Sequence, residues 1–251
     1  MSEINKDSVQ HQENDKQLIQ AYWQGRAKDF AELRSKELHC EKHALWQQEI
    51  LKQLPQKNGL KILDVGCGAG FFSILLSQCG MEMTGIDLTP AMIAEAEKLA
   101  EQEQVQVQAK FQVMDAEKLT FADNTFDAVI ARNVTWNLPH PDKAYAEWVR
   151  VLKPGGVLLN SDAEYAKHHH DPLPKINAHS AVTEKQNEQC HQIYHMLEVS
   201  LYERPAWDVA LLTSLGTECT VDLEVNERIY PQKDWFYSPA PIFFVRAVKK
   251  K

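Results

Sequence analysis

Lys61-Ile-Leu-Asp-Val-Gly-Cys-Gly-Ala-Gly70 runs a short apolar strand into a turn with glycine at every second position, and Thr84-Gly-Ile-Asp-Leu88 follows one amphipathic stretch later. A tight strand-to-helix turn needs positive φ and a bare backbone that lets a ligand approach, which Gly66, Gly68 and Gly70 can supply. Asp87 falls at the end of the second strand, where a carboxylate can accept both hydroxyl protons of a ribose. The two segments together predict a nucleotide-type ligand lying across the carboxyl ends of parallel strands. A dinucleotide fold would prefer Gly-x-Gly-x-x-Gly; this chain reads Gly-x-Gly-x-Gly after Asp64.

Outward from that turn, strands and helices alternate. Strands are expected at 61–65, 82–86, 107–112, 126–131 and 157–161, with helices at 71–78, 90–101 and 141–152 between them. Thr89 before Pro90 reads as a helix start. Such alternation implies a doubly wound α/β sheet with right-handed crossovers. Residues 16–54 carry apolar positions at helical spacing up to Pro55, so 1–55 reads as an N-terminal helical cap on a 56–251 core. The stretch 162–204 breaks the rhythm and reads as an insertion after the fifth strand. Beyond it, 207–215 is expected to be helical, with strands at 220–228 and 242–248.

Composition bounds the function. The chain has 251 residues, 44% hydrophobic and 25% charged, with a formal net charge of −8. That acidic balance lacks the broad basic footprint of a nucleic-acid binder. The polar start shows no signal-peptide pattern, and no apolar run approaches the roughly 20 residues needed to cross a bilayer. Five scattered cysteines fit reduced thiols, so a cytoplasmic protein without membrane insertion is expected.

Asp64-Val-Gly-Cys-Gly-Ala-Gly70 resembles the first motif of the class I S-adenosylmethionine-dependent methyltransferases, and Asp87 resembles their ribose-binding acid. Met114-Asp-Ala-Glu117 looks like their adenine-contacting segment, and Leu152-Lys-Pro-Gly-Gly156 like the turn before their fifth strand. The resemblance runs from about Asp64 to Ser161. It implies a Rossmann-like seven-stranded sheet, mostly parallel with an antiparallel last strand, and S-adenosylmethionine as cofactor. The residues it places on the cofactor are Asp64, Gly66, Cys67, Gly68, Gly70, Asp87, Leu88, Asp115, Ala116, Glu117, Arg132 and Asn133. Tyr22-Trp-Gln-Gly-Arg-Ala27 is similar to a covering segment in a narrower, quinone-biosynthesis-like group acting on small molecules, which makes Tyr22, Trp23 and Arg26 lid residues; the alternative is that the aromatic pair packs in a core.

Ala131-Arg-Asn-Val-Thr-Trp-Asn-Leu-Pro-His-Pro141 lacks the Asn/Asp-Pro-Pro-Tyr pattern of amide methylation and looks like the small-molecule variant, so Trp136, His140 and Tyr165 are expected to meet the acceptor. Where the acceptor is a hydroxyl, a base is required, and His140, Asp162, Glu164 and Tyr165 are the candidates. Asp127 begins its strand, away from the ligand-binding ends, and is expected to be structural. The insertion carries His168, His169 and His170 before Asp171, and Cys190, His191 and His195 on one helix; it is expected to be a polar lid without a metal. Two other classes stand beside the enzyme: a cofactor-binding sensor or scaffold without turnover, and a regulator holding a metal through these histidines. A small-molecule acceptor is the expected partner, and a homodimer stays open.

Overall fold

The computed structural model describes residues 6–172, 177–178 and 182–251, with backbone alone for 6–13. Parts of the expected insertion (173–176 and 179–181) and of the polar start (1–5) lie outside the described residues.

The sheet forms around β1 (Lys61–Val65), β2 (Glu82–Asp87), β3 (Ala109–Val113), β4 (Phe126–Arg132), β5 (Leu152–Asp162), β6 (Thr217–Asp222) and β7 (Phe243–Lys249). Their order is β3-β2-β1-β4-β5-β7-β6, and only β7 runs against the others. This is the seven-stranded arrangement expected from the resemblance. The central strands read as nearly continuous apolar runs because helices cover both faces. Ile62, Leu63 and Val65 in β1 and Ala128, Val129 and Ile130 in β4 are fully buried. Strand order reverses between β1 and β4, which opens a crevice at their carboxyl ends. The registers Val65↔Ile86, Val65↔Ala131 and Arg132↔Ser161 bring the ends of β1, β2, β4 and β5 to one edge.

Helix α3 (Phe71–Gln78) is apolar nearly all round and buried from Phe71 to Ser77, as befits a helix enclosed between sheet and cap. The cap is α1 (Lys6–Leu38) and α2 (Glu41–Gln53). Trp46 and Ile50 of α2 are fully buried in the same core as Ile74, Leu75 and Phe244, so α2 is integral to the core. On the opposite face, α5 (Pro141–Val151) and α8 (Ala206–Ser214) cover the sheet with Tyr145, Trp148 and Leu212. α4 (Pro90–Gln102) begins at Pro90 as expected, but Thr89 makes no side-chain cap.

Asp127 is structural: its carboxylate accepts from the Lys61 backbone N–H at 3.0 Å and from the Lys153 ammonium at 2.9 Å, tying β1 and β5 to β4. Three segments differ from expectation. β3 starts at Ala109, leaving Val107 exposed in the turn before it. The expected strand at 220–228 ends at Asp222, and Val225–Ile229 forms α9. Val225 and Ile229 are both fully buried, and their spacing of four is the one a helix needs. The insertion, with α6 (Tyr165–His168) and α7 (Glu184–Met196), is no merely polar lid. Ile193, Leu197 and Val199 bury against Ile19, Tyr22 and Trp136, so cap and insertion share a small core over the crevice.

Candidate active site

The glycine turn closes β1 onto α3. Gly66 and Gly68 adopt φ of 59° and 52°. A Cβ at Gly66 would stand 2.5 Å from a Val134 methyl, and one at Gly68 2.9 Å from the Phe30 ring of α1. Both turn backbones face a cavity of about 370 Å³ along the carboxyl edge of the sheet, within the usual range for a small-ligand site. Gly70 has a different task from the one expected. It does not line the cavity, and a Cβ there would press on the Phe111 ring and Ala96, so it sets helix-to-sheet packing.

The acids at this end are held by backbone donors. Asp64 is 2% exposed and accepts from the Ser73 N–H at 3.0 Å and the Ser73 hydroxyl at 2.7 Å. Burial outweighs those bonds and pushes its carboxyl up to about 7. Asp87 accepts from the Gly68 N–H at 3.0 Å and the Thr89 N–H at 2.8 Å. Burial raises it too, against the pull of those amides. With the Thr89 side chain also donating, the carboxylate keeps acceptor capacity for a ligand hydroxyl. Asp115 and Glu117 meet the Lys16 ammonium of α1, both at 2.6 Å, and Gln20 one turn on donates to the Leu88 carbonyl at 2.7 Å. Helix α1 therefore crosses the cavity at the end of β2 and the loop after β3.

The other end is built from side chains. Trp136 is fixed by its backbone N–H to Asp162 at 3.1 Å and by its indole N–H to the Asn133 carbonyl at 2.9 Å. Trp23, Tyr165 and Tyr194 surround it, with ring centroids at 6.5, 5.5 and 5.1 Å. Asn133, at φ 57°, holds a buried Oδ1 without a hydrogen-bond donor among the described residues. Arg132 stacks on Trp46 at 4.2 Å and sends a fork to Glu37 at 3.0 and 2.7 Å, with the Tyr230 hydroxyl at 3.0 Å. Its guanidinium thus serves Glu37, while the residue itself still lines the cavity at the end of β4. Burial alone would raise the Glu37 carboxyl, but Arg132 and Arg34 overcome that and hold it at about 2.

Among the sequence candidates, Tyr22, Trp23, Arg26, Asp64, Gly66, Cys67, Gly68, Asp87, Leu88, Asp115, Ala116, Glu117, Arg132, Asn133, Trp136 and Tyr165 line this one cavity. His140 does not: its backbone N–H caps onto Glu117 at 2.7 Å at the start of α5. Asp162 lies behind Trp136, paired with Arg204 at 3.1 Å, and Glu164 accepts from the Arg204 N–H. None of these three is placed as a base at the cavity, and burial drives the Tyr165 hydroxyl far above its usual range. Cys190 hydrogen-bonds with Tyr22 and Tyr194, and among the described residues no group of three His, Cys, Asp or Glu side chains is arranged for a metal. Lys16, Phe30, Arg34 and Tyr230 also line the cavity and were not singled out from sequence. For the first three the available signal was their heptad-like recurrence on one face of a long helix.

Residues 63–160 match the methyltransferase domain family. The chain is 42% identical over 127 residues to a 2-methyl-6-phytyl-1,4-hydroquinone methyltransferase of Synechocystis sp., covering 48% of this chain and 36% of that protein. It is 38% identical over 123 residues to a demethylmenaquinone methyltransferase of Staphylococcus aureus, covering 47% and 49%. The chain thus spans half or less of the length of these relatives. In fold it is similar to a methyltransferase from Aquifex aeolicus, with a TM-score of 0.56 and 20% identity over 85% of this chain and 95% of that one. A chain of the Haloferax volcanii complex of the Trm112 methyltransferase activator aligns with a TM-score of 0.62 and 19% identity, covering 93% and 98%. Among the described residues no helix is long and apolar enough to cross a membrane.

Proposed function

We propose that the chain is an S-adenosylmethionine-dependent methyltransferase that passes a methyl group to a small-molecule acceptor by direct in-line displacement. The carrying observation is the juxtaposition in one cavity of the Gly66–Gly68 turn, the Asp87 carboxylate and the aromatic wall around Trp136. The residues fit this cofactor: Asp87 offers its remaining acceptor capacity to ribose hydroxyls, and the Asn133 Oδ1 is an orphaned acceptor suited to a cationic amine. Arg26 is 5% exposed with an Nε that no described residue accepts, and it suits a carboxylate. The identity of 42% to a hydroquinone methyltransferase supports an aromatic or quinone-like acceptor.

When bound, the cofactor supplies an already activated sulfonium methyl. The protein's part is alignment and exclusion of water, which can supply several kcal/mol of the barrier, up to about 7–11. Trp136, Trp23, Tyr165 and Tyr194 form the dry wall, and aromatic faces stabilise positive charge. With His140, Asp162 and Glu164 outside the cavity lining, the acceptor brings a nucleophile that needs no strong protein base. A cytoplasmic setting fits the free thiols of Cys40, Cys67, Cys79, Cys190 and Cys219.

Calorimetric titration with S-adenosylmethionine and S-adenosylhomocysteine tests this reading. One site per chain for both, followed by labelled methyl transfer to hydroquinone-type acceptors, is the expected result. Binding without turnover on any acceptor would favour a sensor, and no binding by folded protein would end the proposal.

A further inference from the structure

Three guanidiniums, from Arg26, Arg34 and Arg132, face the cavity, and a single buried carboxylate, Glu37, serves that wall. Glu37 is fully taken. It accepts both arms of Arg132, one N–H of Arg34, the Trp46 indole at 3.0 Å and the Tyr230 hydroxyl at 3.1 Å. A carboxylate has about four lone-pair sites, so these donors saturate it. Arg34 is 8% exposed, and among the described residues Glu37 is the carboxylate it reaches. Its guanidinium lies over the Phe30 ring at 4.4 Å, which fixes the plane and leaves the rest of the fork undirected to any protein acceptor among the described residues. Burial, and then the charge of Arg132, hold Arg34 below its ordinary range, as expected where positive charge is in excess.

The other acids that line the cavity are engaged elsewhere: Asp64 and Asp87 at the glycine turn, Asp115 and Glu117 on Lys16, and Asp171 on His168 at 2.7 Å. Charge in the site is therefore divided, with carboxylates where the nucleoside would sit and unneutralised guanidinium beyond it. A sulfonium cofactor adds further positive charge, and its one carboxylate is met by Arg26. Burying a guanidinium without a full counter-charge is costly unless a ligand completes it.

We propose, resting on the methyltransferase reading, that Arg34 seats an anionic oxygen group of the methyl acceptor, so that the substrate is an aromatic or similarly apolar molecule bearing a carboxylate or phosphate. The planar fork matches either anion with two parallel hydrogen bonds, and the apolar body lies against the Trp136 and Tyr165 rings.

The test uses the full chain saturated with S-adenosylhomocysteine and three probes: phenylacetate, phenyl phosphate and the uncharged phenylacetamide. Binding is read by calorimetry and by the fluorescence of Trp23 and Trp136. The expected result is that at least one anion binds about tenfold or more tightly than the amide. Arg34→Gln, which leaves the Glu37–Arg132 pair intact, should erase that preference while S-adenosylhomocysteine binds within about twofold of before. Arg34→Lys should restore part of it. The stronger of the two anions tells carboxylate from phosphate. Equal binding of anion and amide, no binding of any probe at millimolar concentration, or a preference that survives Arg34→Gln overturns the proposal. So does a loss of S-adenosylhomocysteine affinity in Arg34→Gln, which would give Arg34 to the cofactor. If wild-type protein fails to bind S-adenosylhomocysteine, the cofactor reading falls by itself, and the same probe comparison without it still decides whether Arg34 holds an anion.

Discussion

The two ends of the cavity are made from different materials. At the glycine turn the walls are backbone, and the acids Asp64 and Asp87 are held by N–H groups within a few residues of one another along the motif or one strand over. At the far end the wall is long side chains, Arg34, Arg132, Tyr165 and Tyr230 with Glu37 behind them, brought from four separate places in the chain. A backbone wall keeps its shape when one side chain changes. A wall of interlocked ions does not.

Glu37→Ala should give the largest effect. It leaves Arg34 and Arg132 buried without their counter-ion and is expected to cost about 3–5 kcal/mol in urea unfolding at pH 7. Asp64→Asn, at the turn, should cost about 1 kcal/mol, because the Ser73 hydrogen bonds can persist with a neutral group. Equal losses would erase the contrast. The same contrast has a pH form. Glu37 is held at about 2 in the folded chain, below its ordinary 4.5, so its stabilisation is complete above that ordinary value and is lost as pH falls through 4.5 towards 2.

Asp87→Ala should weaken S-adenosylmethionine binding by about 1–3 kcal/mol through lost charge-assisted hydrogen bonds, with urea stability changed far less. Unchanged affinity by calorimetry would remove Asp87 from the site. Asp64 offers a finer measure. With its carboxyl near 7 it is about half protonated at neutral pH, and a cationic ligand nearby favours the charged form and draws its pKa down. Binding should therefore release a fraction of a proton near pH 7, and affinity should fall as pH drops below 7, by at most about tenfold per unit. Calorimetry in buffers of different ionisation enthalpy reads the proton count; uptake in place of release would reverse the assignment. The smallest effect belongs to Lys16→Ala. This side chain is a quarter exposed at the rim, and its loss should shift cofactor affinity by less than about 1 kcal/mol.

That division also explains what could be read from sequence. The glycine turn and Asp87 are short motifs whose chemistry is local and could be read from spacing, while the Asp115–Glu117 segment was placed by the family resemblance; all of them line the cavity. Gly70 was legible as a glycine that must be there but not as packing, because its neighbour Phe111 lies two strands away from β1. His140 sits in the right motif but does not line the cavity, and its place at the start of α5, with its backbone N–H on Glu117, depends on tertiary packing that the motif does not show. Val225 and Ile229 read as strand because two apolar residues four apart fit either period. Arg34 and Glu37 carry a spacing of three on α1, visible in the sequence, but that Tyr230 and Arg132 would converge on them depends on tertiary approach across nearly two hundred residues.

Helix α1 carries Lys16, Arg26 and Arg34 along a single rigid rod, from one end of the cavity to the other. Two ligands that each touch this rod are thermodynamically linked through its position. By reciprocity, whatever factor the cofactor contributes to acceptor affinity, the acceptor returns to the cofactor in equal measure.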